Sequence, residues 1–260
     1  MTVKFYKYQG TGNDFIMIDN REGLLDRNHP ELVRLLCDRR FGIGGDGLIY
    51  FQNKSGYDFE MVYFNSDGNE SSMCGNGGRC LIRFVKDLGL ISSQCRFLAI
   101  DGDHNGEILA DGDVVLQMMD VPTIESFQND FVLNTGSPHY VRFVEDVRKL
   151  NLVEEARKVR YSPRFEKEGI NVNFVTRRSD QEIYVRTYER GVEDETLSCG
   201  TGVVASAIAF AVSTIPSLSQ IQVETPGGLL SVKLQKAEAG YRNIFLQGPA
   251  KKVFEGSVEV

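Results

Sequence analysis

One short motif occurs twice in this chain and constrains its fold more than any other feature. It reads Cys74-Gly75-Asn76-Gly77 and again Cys199-Gly200-Thr201-Gly202, and a helical pattern follows each copy at once. After the first copy, Leu81, Ile82, Phe84, Val85 and Leu88 recur at helical spacing, and Gly89 is placed to stop the helix. After the second, the stretch from Val203 to Ser213 is apolar almost all round, which means a helix buried on every side. A helix wrapped by a sheet meets that requirement. The spacing between the cysteines, about 125 residues, is longer than solenoid periods.

β-rich segments surround both copies. Strands are expected at Val3–Tyr8, Asp14–Asp19, Leu48–Phe51 and Tyr57–Phe64, then in three short stretches between Arg96 and Met119. In the second half they are expected at Phe131–Thr135, Tyr140–Val144, Asn171–Thr176, Glu182–Tyr188, Ile221–Glu224, Leu229–Leu234 and Ile244–Gln247. Asn28-His29-Pro30-Glu31 signals a helix start with Pro30 near its first turn, and a polar amphipathic helix is expected from about Asp146 to Val159. The fold class is therefore α+β. It has two pseudo-symmetric domains, each a mainly antiparallel sheet around a central helix, with the active site in the cleft between them. The first half is placed at residues 1–119 and the second at 120–253, with residues from about 254 to 260 as candidates to rejoin the first. Asp120-Val121-Pro122-Thr123 reads as the linker.

Composition narrows the function. Hydrophobic residues at 42% and charged residues at 25% describe an ordinary globular chain. The net charge of −7 argues against a nucleic-acid or anionic-membrane partner, while leaving room for an anionic small-molecule substrate at a local site. The N-terminus has no apolar signal segment, and the longest apolar stretch, Val203 to Val212, falls short of the roughly 20 residues a bilayer needs. A cytoplasmic location is the expectation. Five cysteines, an odd number, argue against a disulfide framework. With three histidines, no CxxC and no HExxH, no metal is expected. Gly42 to Gly47 matches GxGxxG literally, but a helix precedes it and a strand follows, the reverse of a dinucleotide site. Cys37, Cys80 and Cys95 are placed as ordinary buried residues, and His29 and His104 receive no role.

The repeated motif carries the chemistry. The first N–H groups of a helix lack internal partners, and the helix dipole makes that end partly positive. A cysteine there has its thiol pKa lowered. Glycines allow a ligand close to the backbone, and the same N–H groups can hold a carboxylate. Two such turns facing one another would seat a carboxylate between two helix ends, with a sulfur on each side of the α-carbon. One thiolate could take the α-proton and the opposite thiol return one to the other face, inverting the centre. The N–H donors would stabilise the developing charge, so no cofactor is required.

At this point the chain resembles the diaminopimelate epimerase family. Tyr188-Glu189-Arg190-Gly191 followed by Glu195-Thr196-Leu197-Ser198-Cys199-Gly200-Thr201-Gly202 is similar to the family's second-cysteine signature, and Asn65-Ser66-Asp67-Gly68 followed by Met73-Cys74-Gly75-Asn76-Gly77 to its first. Gly10-Thr11-Gly12-Asn13-Asp14-Phe15, Ser137-Pro138-His139 and Asn171-Val172-Asn173-Phe174 also match, in the family's order. The resemblance implies a homodimeric isomerase that interconverts LL- and meso-diaminopimelate for lysine and peptidoglycan precursors. By position, Cys199 would take the proton from the LL substrate and Cys74 would donate. The N–H groups of Gly75, Asn76, Gly200 and Thr201 would hold the reacting carboxylate, and Arg190 the distal one. Asn13, Asn65 and Asn171 would hold polar groups of the substrate. Glu189 would face an ammonium and, with His139, tune the cysteines. The chain departs from the family at Ser137, where Asn is common, and carries one extra residue near Val192-Glu193-Asp194. A related racemase or epimerase acting on proline or hydroxyproline is the alternative, and a thiol redox protein a third.

Overall fold

The computed structural model describes residues 1–128, 130–214 and 217–260. Its contacts divide the chain into two units: residues 1–116 with 248–260, and residues 117–247.

The first unit contains β1 (Thr2–Gly10), β2 (Asn13–Asp19), α1 (Pro30–Cys37), β3 (Gly47–Gln52), β4 (Phe59–Asn65), α2 (Gly75–Asp87), β5 (Gln94–Ala99), β6 (Gly102–Ile108) and β7 (Val114–Met118). The second contains β8 (Ile124–Phe127), β9 (Asp130–Asn134), β10 (Pro138–Phe143), α3 (Leu152–Arg160), β11 (Asn171–Arg177), β12 (Glu182–Glu189), β13 (Asp194–Thr196), α4 (Gly200–Ser213), β14 (Gln220–Thr225), β15 (Gly228–Lys236) and β16 (Tyr241–Gly248). The last strand, β17 (Lys251–Glu259), returns to the first unit and pairs antiparallel with β1.

The strand pairings repeat rung for rung. In unit 1, β1 and β2 are antiparallel, β2 and β3 parallel across α1, β3 and β4 antiparallel, β4 and β5 parallel across α2, and β5, β6 and β7 follow antiparallel. In unit 2, β9, β10, β11, β12, β14, β15 and β16 take the same pairings in the same order, with α3 and α4 as the crossovers. The parallel pair begins at Phe15↔Gly47 in one unit and at His139↔Asn171 in the other. This correspondence matches β2 with β10, β3 with β11 and α2 with α4.

Alternation along each strand sends side chains to opposite faces. In unit 1, Ile16, Ile18, Leu48, Tyr50, Val62 and Phe64 pack with Val33 and Leu36 of α1. In unit 2, Tyr140, Val172, Phe174 and Tyr184 pack with Leu152, Ala156 and Val159 of α3. The intervening residues, among them Phe15, Met17 and Ile49 in unit 1 and His139, Val141, Asn171 and Asn173 in unit 2, belong to the other face, where α2 and α4 lie. α2 touches β1, β2, β3, β4, β6 and β17, and α4 touches β9, β10, β11, β12, β14 and β15. α4 buries its whole run from Gly202 to Ala211, as its apolar circumference requires.

Three expectations are corrected in detail. The helix expected from Asp146 to Val159 is interrupted: Val147–Lys149 form a 3-10 turn capped by the Asp146 side chain, the backbone extends at Leu150, and α3 starts at Leu152. Strands β8, β13 and β17 were not expected. The charged surface of Lys251, Lys252, Glu255 and Glu259 hides the β17 signal, which comes instead from its pairing with β1. Finally, both central helices begin inside the repeated motif, at Gly75 and Gly200, so that Cys74 and Cys199 are themselves the N-cap residues.

Candidate active site

In unit 1, Cys74 has the extended backbone of an N-cap (φ −90°, ψ 125°), and its side chain does not cap the helix. That leaves the sulfur available for other contacts. The Cys74 Sγ lies 3.7 Å from Asn13 Oδ1, at the start of β2, and the same oxygen accepts from Asn76 Nδ2 at 3.2 Å. Asn13 Nδ2 in turn donates to Asp46 at 2.5 Å. Asn76 Oδ1 accepts from Arg79 Nη2 at 3.1 Å, and Arg79 Nη1 donates to the Gly75 carbonyl at 3.1 Å. Arg79 is wholly buried; burial lowers its pKa, and the neighbouring Cys80 and Cys74 oppose that. Behind Asn13, Asp14 takes salt bridges from Lys7 (2.7 Å) and Arg39 (2.6 Å), which also reaches Asp46 at 2.8 Å. Burial pushes the Asp14 carboxyl up, but hydrogen bonds from Arg39 and Lys7 outweigh it and hold the group well below the ordinary carboxylate range. Arg39 is thus the clamp of the glycine loop before β3. Asn65, the last residue of β4, accepts from the Tyr63 hydroxyl at 2.7 Å.

In unit 2, Cys199 is an N-cap of the same kind (φ −115°, ψ 112°) and is 8% exposed. Its Sγ lies 3.4 Å from the hydroxyl of Thr201. That hydroxyl is 2.9 Å from His139 Nε2, and His139 Nδ1 is 3.1 Å from Asn173 Nδ2. His139 and Asn173 are both 0% exposed. Burial, with the Arg190 charge adding to it, lowers the His139 pKa to about 3, so the ring is neutral at physiological pH. Asn171 Nδ2 donates to Ser137 Oγ (2.9 Å) and the Pro138 carbonyl (3.2 Å), while its Oδ1 accepts the Arg190 backbone N–H at 2.8 Å. Ser137 therefore serves the β10–β11 corner by supporting Asn171. The Arg190 guanidinium donates to the Glu168 carbonyl at 3.0 Å. Beyond it lies a tight turn, with Gly191 at φ 93° and Glu193 at φ 58°, and Glu193 is anchored by Arg160 at 3.1 Å and Tyr188 at 3.1 Å.

The two halves differ beneath the cysteine helix. A methyl group on Gly77, third residue of α2, would meet Ile49 and Phe15. One on Gly202, third residue of α4, would meet Asn173 and His139. These are matched positions of the repeat: an apolar pair supports Cys74, and a hydrogen-bonded polar pair supports Cys199.

The expected residues thus fall into two groups. Asn13, Asn76 and Gly75 gather at Cys74, and His139, Thr201 and Gly200 at Cys199, with Asn171 bonded to Arg190 and Glu189 preceding it at the end of β12. Sequence reasoning missed Asn173, Arg79, the Thr201 hydroxyl and the Asp14–Lys7–Arg39–Asp46 clamp. Asn173 was within reach: it sits two residues beyond Asn171 in a strand, and so on the same face.

Comparison with known proteins gives the family of the chain. A family model described as diaminopimelate epimerase matches residues 5–125 and 131–253. A diaminopimelate epimerase of Flavobacterium psychrophilum is 48% identical over 256 residues, covering 98% of this chain and 100% of its own length. One of Aquifex aeolicus is 37% identical, covering 98% and 97%. Among solved structures, a Bacillus anthracis phenazine biosynthesis protein of the PhzF family superposes with a TM-score of 0.80 at 16% identity, over all of both chains. A hydroxyproline epimerase from Agrobacterium vitis superposes with a TM-score of 0.74 at 15% identity, covering 99% of this chain and 92% of its own. Those two likenesses concern the fold, two α+β units in one chain. With the family model spanning nearly the whole sequence and relatives this similar at full length, the chain belongs to the diaminopimelate epimerase family of isomerases.

Proposed function

We propose that this chain interconverts LL- and meso-diaminopimelate by two-base proton transfer, with Cys199 and Cys74 on opposite faces of the α-carbon. The observation that carries the reading is the duplication itself: each cysteine N-caps a glycine-started helix at the same place in a repeated topology. From the LL substrate, the Cys199 thiolate takes the α-proton while the Cys74 thiol gives its proton to the opposite face; the next turnover in reverse restores both. The amides of Gly75, Asn76, Gly200 and Thr201 hold the reacting carboxylate and stabilise the charge that develops on it. This route uses no cofactor. Arg190 binds the distal carboxylate through its planar fork, Asn13, Asn65 and Asn171 orient the polar groups, and Glu189 meets an ammonium. We assign the enzyme to the cytoplasm as a homodimer supplying lysine and peptidoglycan precursors; no described helix is long and apolar enough to cross a membrane.

The test is proton NMR of the purified protein with LL-diaminopimelate in D₂O under reducing conditions. Loss of the α-proton signal with appearance of the meso isomer is the expected result. No exchange over hours by folded protein would sink the assignment, and proline and hydroxyproline in the same tube then test the alternative substrate class.

A further inference from the structure

The polar pair beneath Cys199 has a directional hydrogen-bond pattern. Asn173 Nδ2 lies 2.9 Å from the Tyr140 carbonyl, which can only accept, so the amide nitrogen must face it. Asn173 Oδ1 accepts from Thr187 Oγ1 at 2.9 Å, consistent with the same orientation. The second amide hydrogen therefore points to His139 Nδ1 at 3.1 Å and makes that nitrogen the acceptor. A neutral imidazole with an accepting Nδ1 carries its proton on Nε2. Nε2 also lies 3.5 Å from Asn171 Nδ2, but that amide sends its two hydrogens to Ser137 Oγ (2.9 Å) and the Pro138 carbonyl (3.2 Å); Nε2 therefore donates to Thr201 Oγ1 at 2.9 Å, and the one hydroxyl hydrogen of Thr201 is left to donate to Cys199 Sγ at 3.4 Å.

We propose that Asn173 is a positioning residue for catalysis: it sets the His139 tautomer, and through the Thr201 hydroxyl it directs a hydrogen bond onto the Cys199 sulfur, favouring the thiolate. The inference rests on the two-cysteine reading of the site and adds to it an asymmetry between the halves. The matched position to Asn173 in unit 1 is Ile49 and that to His139 is Phe15, so no such relay exists beneath Cys74. Gly202 is what allows it, since a Cβ there would stand 2.4 Å from Asn173 Oδ1. The neutrality of the ring agrees with its low pKa, caused first by burial and then by the Arg190 charge. Of the strands packed on α4, β10 contributes His139, and the end of β12 contributes Glu189 and Arg190. Arg177 lies over Phe210, towards the other end of the helix. Each of these charged groups stays in place in the variants below.

The experiment compares wild type with Asn173→Ala, Thr201→Val and Thr201→Ser. Two-bond ¹H–¹⁵N correlation of the imidazoles reports the His139 tautomer. The pH-rate profile of iodoacetamide alkylation, resolved by peptide mass spectrometry, reports Cys199, with Cys74 as the control in the same tube. Wild type should show the Nε2–H form. Asn173→Ala should lose that single tautomer, and both Asn173→Ala and Thr201→Val should raise the Cys199 midpoint by about one pH unit, a roughly tenfold loss of thiolate below the midpoint, leaving the Cys74 midpoint in place. Thr201→Ser should bring the Cys199 midpoint back towards wild type. An Nδ1–H tautomer in wild type overturns the proposal, as does an unmoved Cys199 midpoint in Thr201→Val; should Asn173→Ala not fold, the Thr201 pair and the wild-type tautomer decide alone. The α-proton exchange of LL-diaminopimelate on the same wild-type sample separates the two readings. Exchange with an unmoved midpoint rejects the relay and keeps the epimerase, whereas a shifted midpoint without exchange rejects the substrate and keeps the relay.

Discussion

Gly77 and Gly202 occupy the same position, the third residue of the cysteine helix, yet adding one methyl group to each should have opposite consequences. In Gly202→Ala the new Cβ falls 2.4 Å from Asn173 Oδ1, so the amide must retreat by roughly 1 Å to reach ordinary contact distance. It cannot do so freely, because it is buried and tied to Tyr140, His139 and Thr187 at 2.9, 3.1 and 2.9 Å. Overpacking costs about 1–3 kcal/mol, and weakening a buried hydrogen bond about 1–3 kcal/mol. The gain in helix propensity offsets about 1 kcal/mol. The net loss is about 1–5 kcal/mol, or roughly 2–20 °C in Tm for a chain of this size. In Gly77→Ala the nearest atom is Ile49 Cδ1 at 3.0 Å, the rotatable tip of an apolar side chain, and the remaining contacts, at 3.4 and 3.5 Å, are ordinary. Its packing cost of about 1 kcal/mol and its propensity gain cancel to within about 1 kcal/mol. Thermal and urea unfolding followed by circular dichroism measure the difference, and α-proton exchange follows the displacement of His139. Equal stability of the two variants would refute the argument that a locked polar pair underlies Cys199.

Other consequences can be checked separately. Cys74→Ser and Cys199→Ser should each lower complete epimerisation by at least about 10²-fold, since a serine hydroxyl is a far poorer base than a thiolate; chiral analysis of the product checks this. Arg190→Ala should weaken diaminopimelate turnover by about 10²-fold in kcat/KM through loss of a bidentate charged contact, and unchanged turnover would remove Arg190 from the distal-carboxylate role. Asp14→Asn leaves Lys7, which is 5% exposed, without its carboxylate and should cost about 2–4 kcal/mol at neutral pH. Because the folded pKa of Asp14 is depressed, that contribution is present above the unfolded value of about 4 and is lost as pH falls below it, so urea midpoints of variant and wild type should converge in acid. His139 binds its proton in the unfolded chain near pH 6.5 but in the folded one only at about 3. Wild-type stability should therefore fall with pH between those values by up to about 1.4 kcal/mol per unit from this group, and His139→Asn should remove that slope.

The sequence by itself determined the architecture and the duplicated cysteine motif. A glycine-flanked cysteine before an apolar helix, occurring twice at one long period, implies two sheet-wrapped helices whose ends present a sulfur and backbone amides; that follows from local chain chemistry and periodicity. Strand alternation also puts Asn173 on the same face as Asn171, a signal present in the sequence that the reading of it did not use. Other features depended on partners distant in the chain. The charged segment Lys251–Glu259 is a strand because β1 offers it an edge, more than two hundred residues away in sequence. Arg39 is a clamp because β2 brings Asp14 to it, and Asp46 follows in the same loop. Most of all, only the register His139↔Asn171 sets the imidazole over Asn173 and under the Thr201 hydroxyl. Hydrogen bonding is short-ranged and directional, so a tautomer is decided by atoms about 3 Å apart in space, whatever their separation along the chain.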